Sequence, residues 1–220
     1  KMKSRFTCAI LVVVSSLFYS TYVHAENNIN SYEETLRLAE NGNVKAKFDL
    51  ARMYKEGDLV PQNYARTLQW YGEAADDGYA PAQYEIGLMF HRGEALPKSD
   101  TDAFSWFQKA AEQGHVGAQY NLGLCYYNGD GVPQDYAEAV KWRCKSAEQG
   151  NASAQRALGV SYYNGYGVTK DYSEAVKWFI KGAERNECDP MYYIGLCYAK
   201  GIETAENHKM AVKWFEKAAK

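Results

Sequence analysis

Apolar residues recur at Ala118, Leu122 and Tyr126, a step of four that puts them on one face of a helix. Gly129 and Gly131 follow at once and predict the end of that helix, because glycine enters the left-handed conformation of a C-terminal cap without steric cost. Asp135 then stands three residues before Glu138, the spacing in which an N-cap carboxylate and an acidic third residue satisfy each other's free amides, so a second helix is predicted from there. Ala139, Trp142 and Ser146 set small and large residues on one of its faces, and "EQGNA", residues 148–152, ends it and turns the chain back. Gly123 and Ala139 are small where the two helices should cross. The predicted unit is a helical hairpin, helix A before the glycines and helix B after Asp135.

The pattern is written several times. "YYNGDGVPQDYAEAVKW", from Tyr126, returns as "YYNGYGVTKDYSEAVKW", from Tyr162, with 13 of 17 positions identical. All five tryptophans, Trp70, Trp106, Trp142, Trp178 and Trp214, are 36 residues apart. The same step of 36 joins Gly57, Gly93, Gly129, Gly165 and Gly201, and also Leu50, Ile86, Leu122, Leu158 and Ile194. Ala75, Ala111, Ala147, Ala183 and Ala219 follow it too. A fixed period of this size predicts a stacked array. A single hairpin cannot bury both its apolar faces, so each copy has to fit the next, and the invariant positions are mostly packing positions. The array is expected to be all-α, with repeats at 44–79, 80–115, 116–151, 152–187 and 188–220 after an N-terminal capping helix within 26–43.

The residues that carry the period also carry a resemblance. "AQYNLGLCYYNGDGVPQDYAEAVKWRCKSAEQG", from Ala118, resembles the Sel1-like repeat, a relative of the tetratricopeptide repeat with a longer turn between its helices. The matching motifs are Leu-Gly-x-x-Tyr at Leu122–Tyr126, Gly-x-Gly-Val at Gly129–Val132 and Ala-x-x-Trp at Ala139–Trp142. The first repeat departs from it with Ala51 and "EGDLVP", the second with "RGEALPKSDTD", and the fifth, "KGIETAENHKM", loses Gly-x-Gly-Val. The resemblance implies a right-handed α-α superhelix and adaptor roles, in envelope assemblies, in restraint of signalling proteins or in contact with host factors. At the C-terminal end either the last helix B is exposed or it meets a second molecule.

The first 25 residues change the picture of location. Lys1, Lys3 and Arg5, then "CAILVVVSSLF", then "VHA" ending at Ala25, read as a secretory signal with the mature chain starting at Glu26. An uncleaved membrane anchor is the second reading, since the apolar core is short against the roughly 20 residues a spanning helix needs, and no later stretch fits a membrane span. Cys8 lies ahead of the apolar run, badly placed for lipidation at the cleavage point. A periplasmic or secreted bacterial protein is expected. Without the leader's three cations, 22 basic residues face 27 acidic ones, a net charge of −5. Nucleic acid, which needs a basic face, is not expected as a partner.

Four cysteines remain, Cys125, Cys144, Cys188 and Cys197. An even count in an exported chain permits disulfides. Cys188 and Cys197 are out of register with the one-bridge-per-repeat pattern of cysteine-rich Sel1-like proteins, and Cys125 and Cys144 lie at different heights on paired helices, so free buried thiols are as well supported. No Cys-x-x-Cys or His-x-x-x-His spacing calls for a metal, and no glycine run leads to a phosphate-binding lysine, so no cofactor is expected. Some cysteine-rich relatives have been linked to penicillin binding and weak β-lactam hydrolysis, yet no Ser-x-x-Lys occurs. His91, His115 and His208 share no repeat position and are expected to be solvated surface residues rather than general bases, and Asp76 and Asp77 sit in an inter-repeat turn. Enzyme action on cell-wall or β-lactam compounds is therefore the alternative to a binding role, and a plain structural spacer is a second alternative.

Helical phase supplies the candidate binding residues. If Leu122 points inward, Tyr120, Leu124 and Tyr127 point outward onto the concave wall that repeat arrays use for partners. Steps of 36 give three rows: Phe48, Tyr84, Tyr120, Arg156 and Tyr192; Arg52, Leu88, Leu124, Val160 and Leu196; Lys55, His91, Tyr127, Tyr163 and Ala199. Aromatics in the first row are common in the motif and pack against a neighbour. The third row varies from copy to copy on a constant frame, as recognition requires, and Tyr127 and Tyr163 beside Leu124 and Val160 resemble binding hot spots. Arg52, Lys55 and Arg92 suggest a basic edge for an acidic partner. The expectation is a scaffold for a protein or peptide, with self-association through the last repeat as a further use.

Overall fold

The computed structural model describes residues 31–183, 188–201 and 205–218. The leader with Cys8 and the position after Ala25, and the side chains of Cys188 and His208, lie outside the described residues. Helix α1 covers residues 31–40. Ten helices follow: α2 Val44–Glu56, α3 Tyr64–Asp76, α4 Ala80–Arg92, α5 Asp100–Glu112, α6 Val116–Asn128, α7 Tyr136–Glu148, α8 Ala152–Asn164, α9 Tyr172–Ala183, α10 Cys188–Gly201 and α11 Ala205–Ala218. Even numbers from α2 are A helices and odd numbers from α3 are B helices. The described residues contain helices and turns and no strand.

The hairpins are tied at both ends by bonds that the repeat prescribes. Helix α6 closes on Gly129 at φ 83, whose N–H donates to the Cys125 carbonyl, and α8 closes the same way on Gly165 at φ 80. Helix B then starts on a polar cap. The Asp135 carboxylate accepts from the amides of Ala137 and Glu138 at 2.9 and 3.0 Å, and Asp171 repeats this with Ser173 and Glu174. The reciprocal half of the expected capping box is absent. The Asp135 amide donates instead to the Tyr126 carbonyl at 2.8 Å, as Asn63 does to Tyr54, Ser99 to Phe90 and Asp171 to Tyr162. That bond clamps the start of helix B to the end of helix A, so Glu138 and Glu174 are free to pair with Lys141 and Lys177.

The second glycine of Gly-x-Gly has a separate task. A Cβ on Gly131 would lie 2.2 Å from the Asp100 carbonyl oxygen, and one on Gly167 would lie 2.1 Å from that of Tyr136. Each glycine therefore lets one repeat's turn press against the first turn of the preceding repeat's helix B. The joint is also laced by glutamines. Buried Gln119 and Gln155 donate to the carbonyls of Ala111 and Ala147, and Gln149 donates to Gln119 at 2.8 Å.

The chain forms two compact units, one ending at Ala82 and one starting at Gln83. In the first, Ala39, Ala46, Leu50 and Tyr54 make a core against which Tyr32, Leu36, Val60 and Trp70 pack. The Tyr54 hydroxyl is shared by Tyr32 at 2.7 Å and by the Arg66 guanidinium, which donates at 2.6 Å. In the second unit Val140, Ala147, Ala154 and Leu158 form one core cluster, and Ala175, Phe179, Ile194 and Cys197 another. The tryptophans are half-buried rather than central, and Lys109, Lys145 and Lys181 lie over the rings of Trp106, Trp142 and Trp178 at 4.0, 3.9 and 4.3 Å. The fully buried large side chains of helix B stand one residue later, at Tyr71, Phe107 and Phe179.

Candidate partner-binding surface

Leu122 and Leu158 are buried, and the residues two before, two after and five after them are half-buried. The first row leans onto its neighbours. Phe48 lies 5.4 Å from both Tyr71 and Tyr79, and Tyr84 lies 4.5 Å from His115 and 5.9 Å from Phe107. Tyr120 packs on the cluster containing Ala154 and Leu158. Arg156 is half-buried, and Tyr192 is 51% exposed, its ring 5.9 Å from that of Tyr193. In the second row Leu88, Leu124, Val160 and Leu196 are half-buried, whereas Arg52 is exposed between Asp49 and Glu56 at 4.0 and 3.9 Å.

The third row is more enclosed than helical phase alone suggests. Tyr127 lies 5.2 Å from Tyr136 and 6.0 Å from Tyr166, and Tyr136 stacks on Tyr166 at 5.2 Å. Tyr163 lies 5.5 Å from Tyr172 and 5.9 Å from Tyr193, with the Lys200 ammonium 5.4 Å from its ring centre. His91 is exposed, its Nδ1 3.4 Å from Asp100 Oδ1; Ala199 is exposed and Lys55 half-buried. Arg92 pairs with Glu94 at 3.4 Å. Arg52 and Arg92, named for a basic edge, thus carry acidic neighbours, which weakens their pull on an acidic partner. On the last helices Ile180 is 41% and Val212 54% exposed.

Cys125, Cys144 and Cys197 are free thiols. Burial pushes Cys125 and Cys197 up to about 12 and raises Cys144 as well, so all three stay protonated and unreactive near neutral pH. Among the described residues no group of His, Cys, Asp or Glu is arranged to hold a metal ion, and no helix is long and apolar enough to cross a membrane. His115 is not the solvated residue that its sequence position suggests. Its Nδ1 caps α6 by accepting from the Ala118 amide at 3.1 Å, and burial against Tyr84 holds its imidazole below the ordinary value against a smaller opposing pull from Glu85.

The model of the Sel1 repeat matches residues 44–79, 80–115, 116–151, 152–187 and 191–220. The chain belongs to the Sel1 repeat family. Among solved structures it is similar to c5321, a protective antigen present in uropathogenic Escherichia coli strains and displaying an SLR fold. The identity is 37% over 86% of this chain and 40% of that one, with a TM-score of 0.80. It thus spans about two fifths of that antigen's length. A Sel1 repeat protein from Oxalobacter formigenes is 31% identical over 89% of this chain and 84% of that one, with a TM-score of 0.76. A Sel1 repeat structure from Klebsiella pneumoniae, at 20% identity, 86% and 91% coverage and a TM-score of 0.54, shares the fold. No curated protein matches the chain.

One residue of these Sel1 repeats escapes helical phase. Steps of 36 from Tyr71 give Phe107, Arg143, Phe179 and Phe215, so Arg143 stands where the other repeats carry an aromatic ring. It is 4% exposed. The signal in the sequence is a cation in an otherwise aromatic column.

Proposed function

We propose that this Sel1 repeat protein is an exported scaffold that holds a segment of a partner protein along the outer side of its A helices. The observation that carries the reading is the contrast along the array. Leu50, Ile86, Leu122, Leu158 and Ile194 are buried and nearly invariant, while the positions beside them on the wall change from Arg52 to Leu88 and from His91 to Tyr127. A constant frame with variable, partly exposed apolar and aromatic positions favours selective recognition over a uniform spacer. The leader sequence favours a periplasmic or secreted location, and the likeness to a protective antigen agrees with it. Buried, protonated thiols argue against cysteine chemistry.

The test is selection of a random decapeptide display library on the whole chain, beside a Leu124→Lys, Tyr192→Lys variant of matched melting temperature. The parent should enrich a recurrent sequence that the variant binds at least tenfold more weakly. Equal binding by both would remove the wall from the account.

A further inference from the structure

Among the described residues Arg143 is a buried cation without a counter-charge. It leaves helix B of the third repeat, passes Gly123, whose Cβ would lie 2.9 Å from its Cγ, and ends in the seam between the A helices α6 and α8. There its guanidinium carbon lies 4.3 Å from the ring centre of Tyr127. Its Nη1 donates to Ser161 Oγ at a long 3.3 Å, the hydrogen bond it makes among the described residues, and its buried Nε has no partner. Desolvation disfavours its charge, and no carboxylate is among the groups that oppose this. A guanidinium left in this state is costly, since a buried donor without a partner loses its hydration outright.

The departure from the repeat is coordinated. Ser161 occupies the column that reads Met53, Met89, Cys125 and Cys197 elsewhere, and it is the hydroxyl that Arg143 meets. Two positions 18 residues apart have thus turned polar together at one seam of an otherwise apolar column. Phe107 and Phe179 show that the same space takes an aromatic ring against Gly87 and Gly159. The fold does not require a cation at this place.

We propose that Arg143 is the carboxylate receptor of the wall, taking an aspartate or glutamate side chain of a partner segment that crosses the seam between α6 and α8. This rests on the partner-binding reading above. Tyr120 and Tyr127 on α6 and Ser161 on α8 border the seam, and the A helices α4 and α10 come before and after this pair in chain order. A segment lying along the wall crosses the seam in mid-course, which fits a side-chain carboxylate rather than a chain terminus. Binding turns the Nε edge of the guanidinium toward the ligand, the edge on which Arg receives a carboxylate with two parallel bonds, and gives a cation held by one long bond to a hydroxyl an anionic partner.

Decapeptides selected from the display library on the whole chain, resynthesised with acetylated and amidated ends, provide the probe. Each acidic residue is replaced by its amide and affinities are measured on the parent, Arg143→Phe and Arg143→Lys. One Glu→Gln or Asp→Asn exchange should weaken binding to the parent at least tenfold, to Arg143→Phe less than twofold, and to Arg143→Lys by an intermediate factor. Arg143→Phe copies the ring of the neighbouring repeats and should fold; if its melting temperature falls, Arg143→Met carries the same comparison. An acid preference that persists on both uncharged variants would place the receptor elsewhere and overturn the proposal. Selected peptides without any acid preference would overturn it and leave the wall intact, whereas recovery of no peptide would remove the partner-binding reading itself.

Discussion

Replacing Gly167 with alanine puts a methyl group where the backbone of the preceding repeat already lies. The new Cβ would stand 2.1 Å from the Tyr136 carbonyl oxygen and 2.3 Å from its carbon, against the 3.4 Å at which ordinary contact begins, so the turn has to withdraw by about 1.3 Å. A gap of roughly that size forfeits a quarter to a half of the dispersion well for every atom pair it separates, and tens of pairs at about 0.1–0.2 kcal/mol each give a loss of about 2–3 kcal/mol. The left-handed conformation at φ 72 adds about 1–2 kcal/mol for a residue with a Cβ, offset by about 0.4–1 kcal/mol from the stiffer unfolded chain. The expected total is about 3–4 kcal/mol. Gly150 supplies the control, because it has φ 87 and nothing within 4 Å of its added Cβ. Gly150→Ala should therefore cost only the backbone strain, about 0.5–1 kcal/mol net. Urea unfolding of the two variants, followed by circular dichroism, separates joint from strain. Losses equal to within about 0.5 kcal/mol would refute the view that the second glycine is an inter-repeat joint.

Three further outcomes follow from individual side chains. Protonation of His115 removes the lone pair that caps α6 and sets a positive charge at a helix N-terminus. Its folded pKa is lowered by burial, so the unfolded chain takes the proton first and stability is lost as pH falls through and below the ordinary histidine value, up to the about 1 kcal/mol that a helix cap contributes; His115→Asn, the cap used at Asn43 and Asn151, should abolish that slope. Arg143→Phe should raise stability by about 1–2 kcal/mol in chemical unfolding, because an unpaired buried charge gives way to the ring used in the adjacent repeats, and a loss would show that the cation is structurally required. Ala95 has φ 62, and Ala95→Gly should relieve about 1–2 kcal/mol of strain while adding about 0.4–1 kcal/mol of unfolded-state entropy, a net gain near 0.5 kcal/mol readable as a small rise in melting temperature.

The fold is largely legible in the sequence because repetition averages out local ambiguity. Five copies of one pattern locate the buried leucine of helix A, the closing glycine and the polar cap of helix B, since each depends on backbone geometry within one hairpin. What the period cannot convey is which neighbour a residue meets. Glu138 has the spacing of a capping box, yet the amide it would serve is taken by Tyr126, a contact between helices that sequence spacing does not encode. Trp142, invariant in the pattern, is half-buried under Lys145, and the adjacent residue is the one buried instead. For the wall, phase places Leu124 and Val160 beside the outer rows, but Tyr127 and Tyr163 are wedged by rings from the following turns and repeats, so their replacement would disturb packing along with any ligand. Arg143 is invisible to the phase of helix A because its tip reaches the A-helix layer from helix B.

The central claim concerns one side of the A helices, and crosslinking from single sites addresses it whatever the partner is. Benzoylphenylalanine placed at Leu88, Leu124 or Tyr192 on the wall, and at Lys141 or Lys177 on the exposed face of helix B, would be photoactivated in cells that make the protein. The account predicts discrete adducts from the wall positions and none above background from Lys141 or Lys177. Adducts of equal yield from both faces, or from helix B alone, would contradict it.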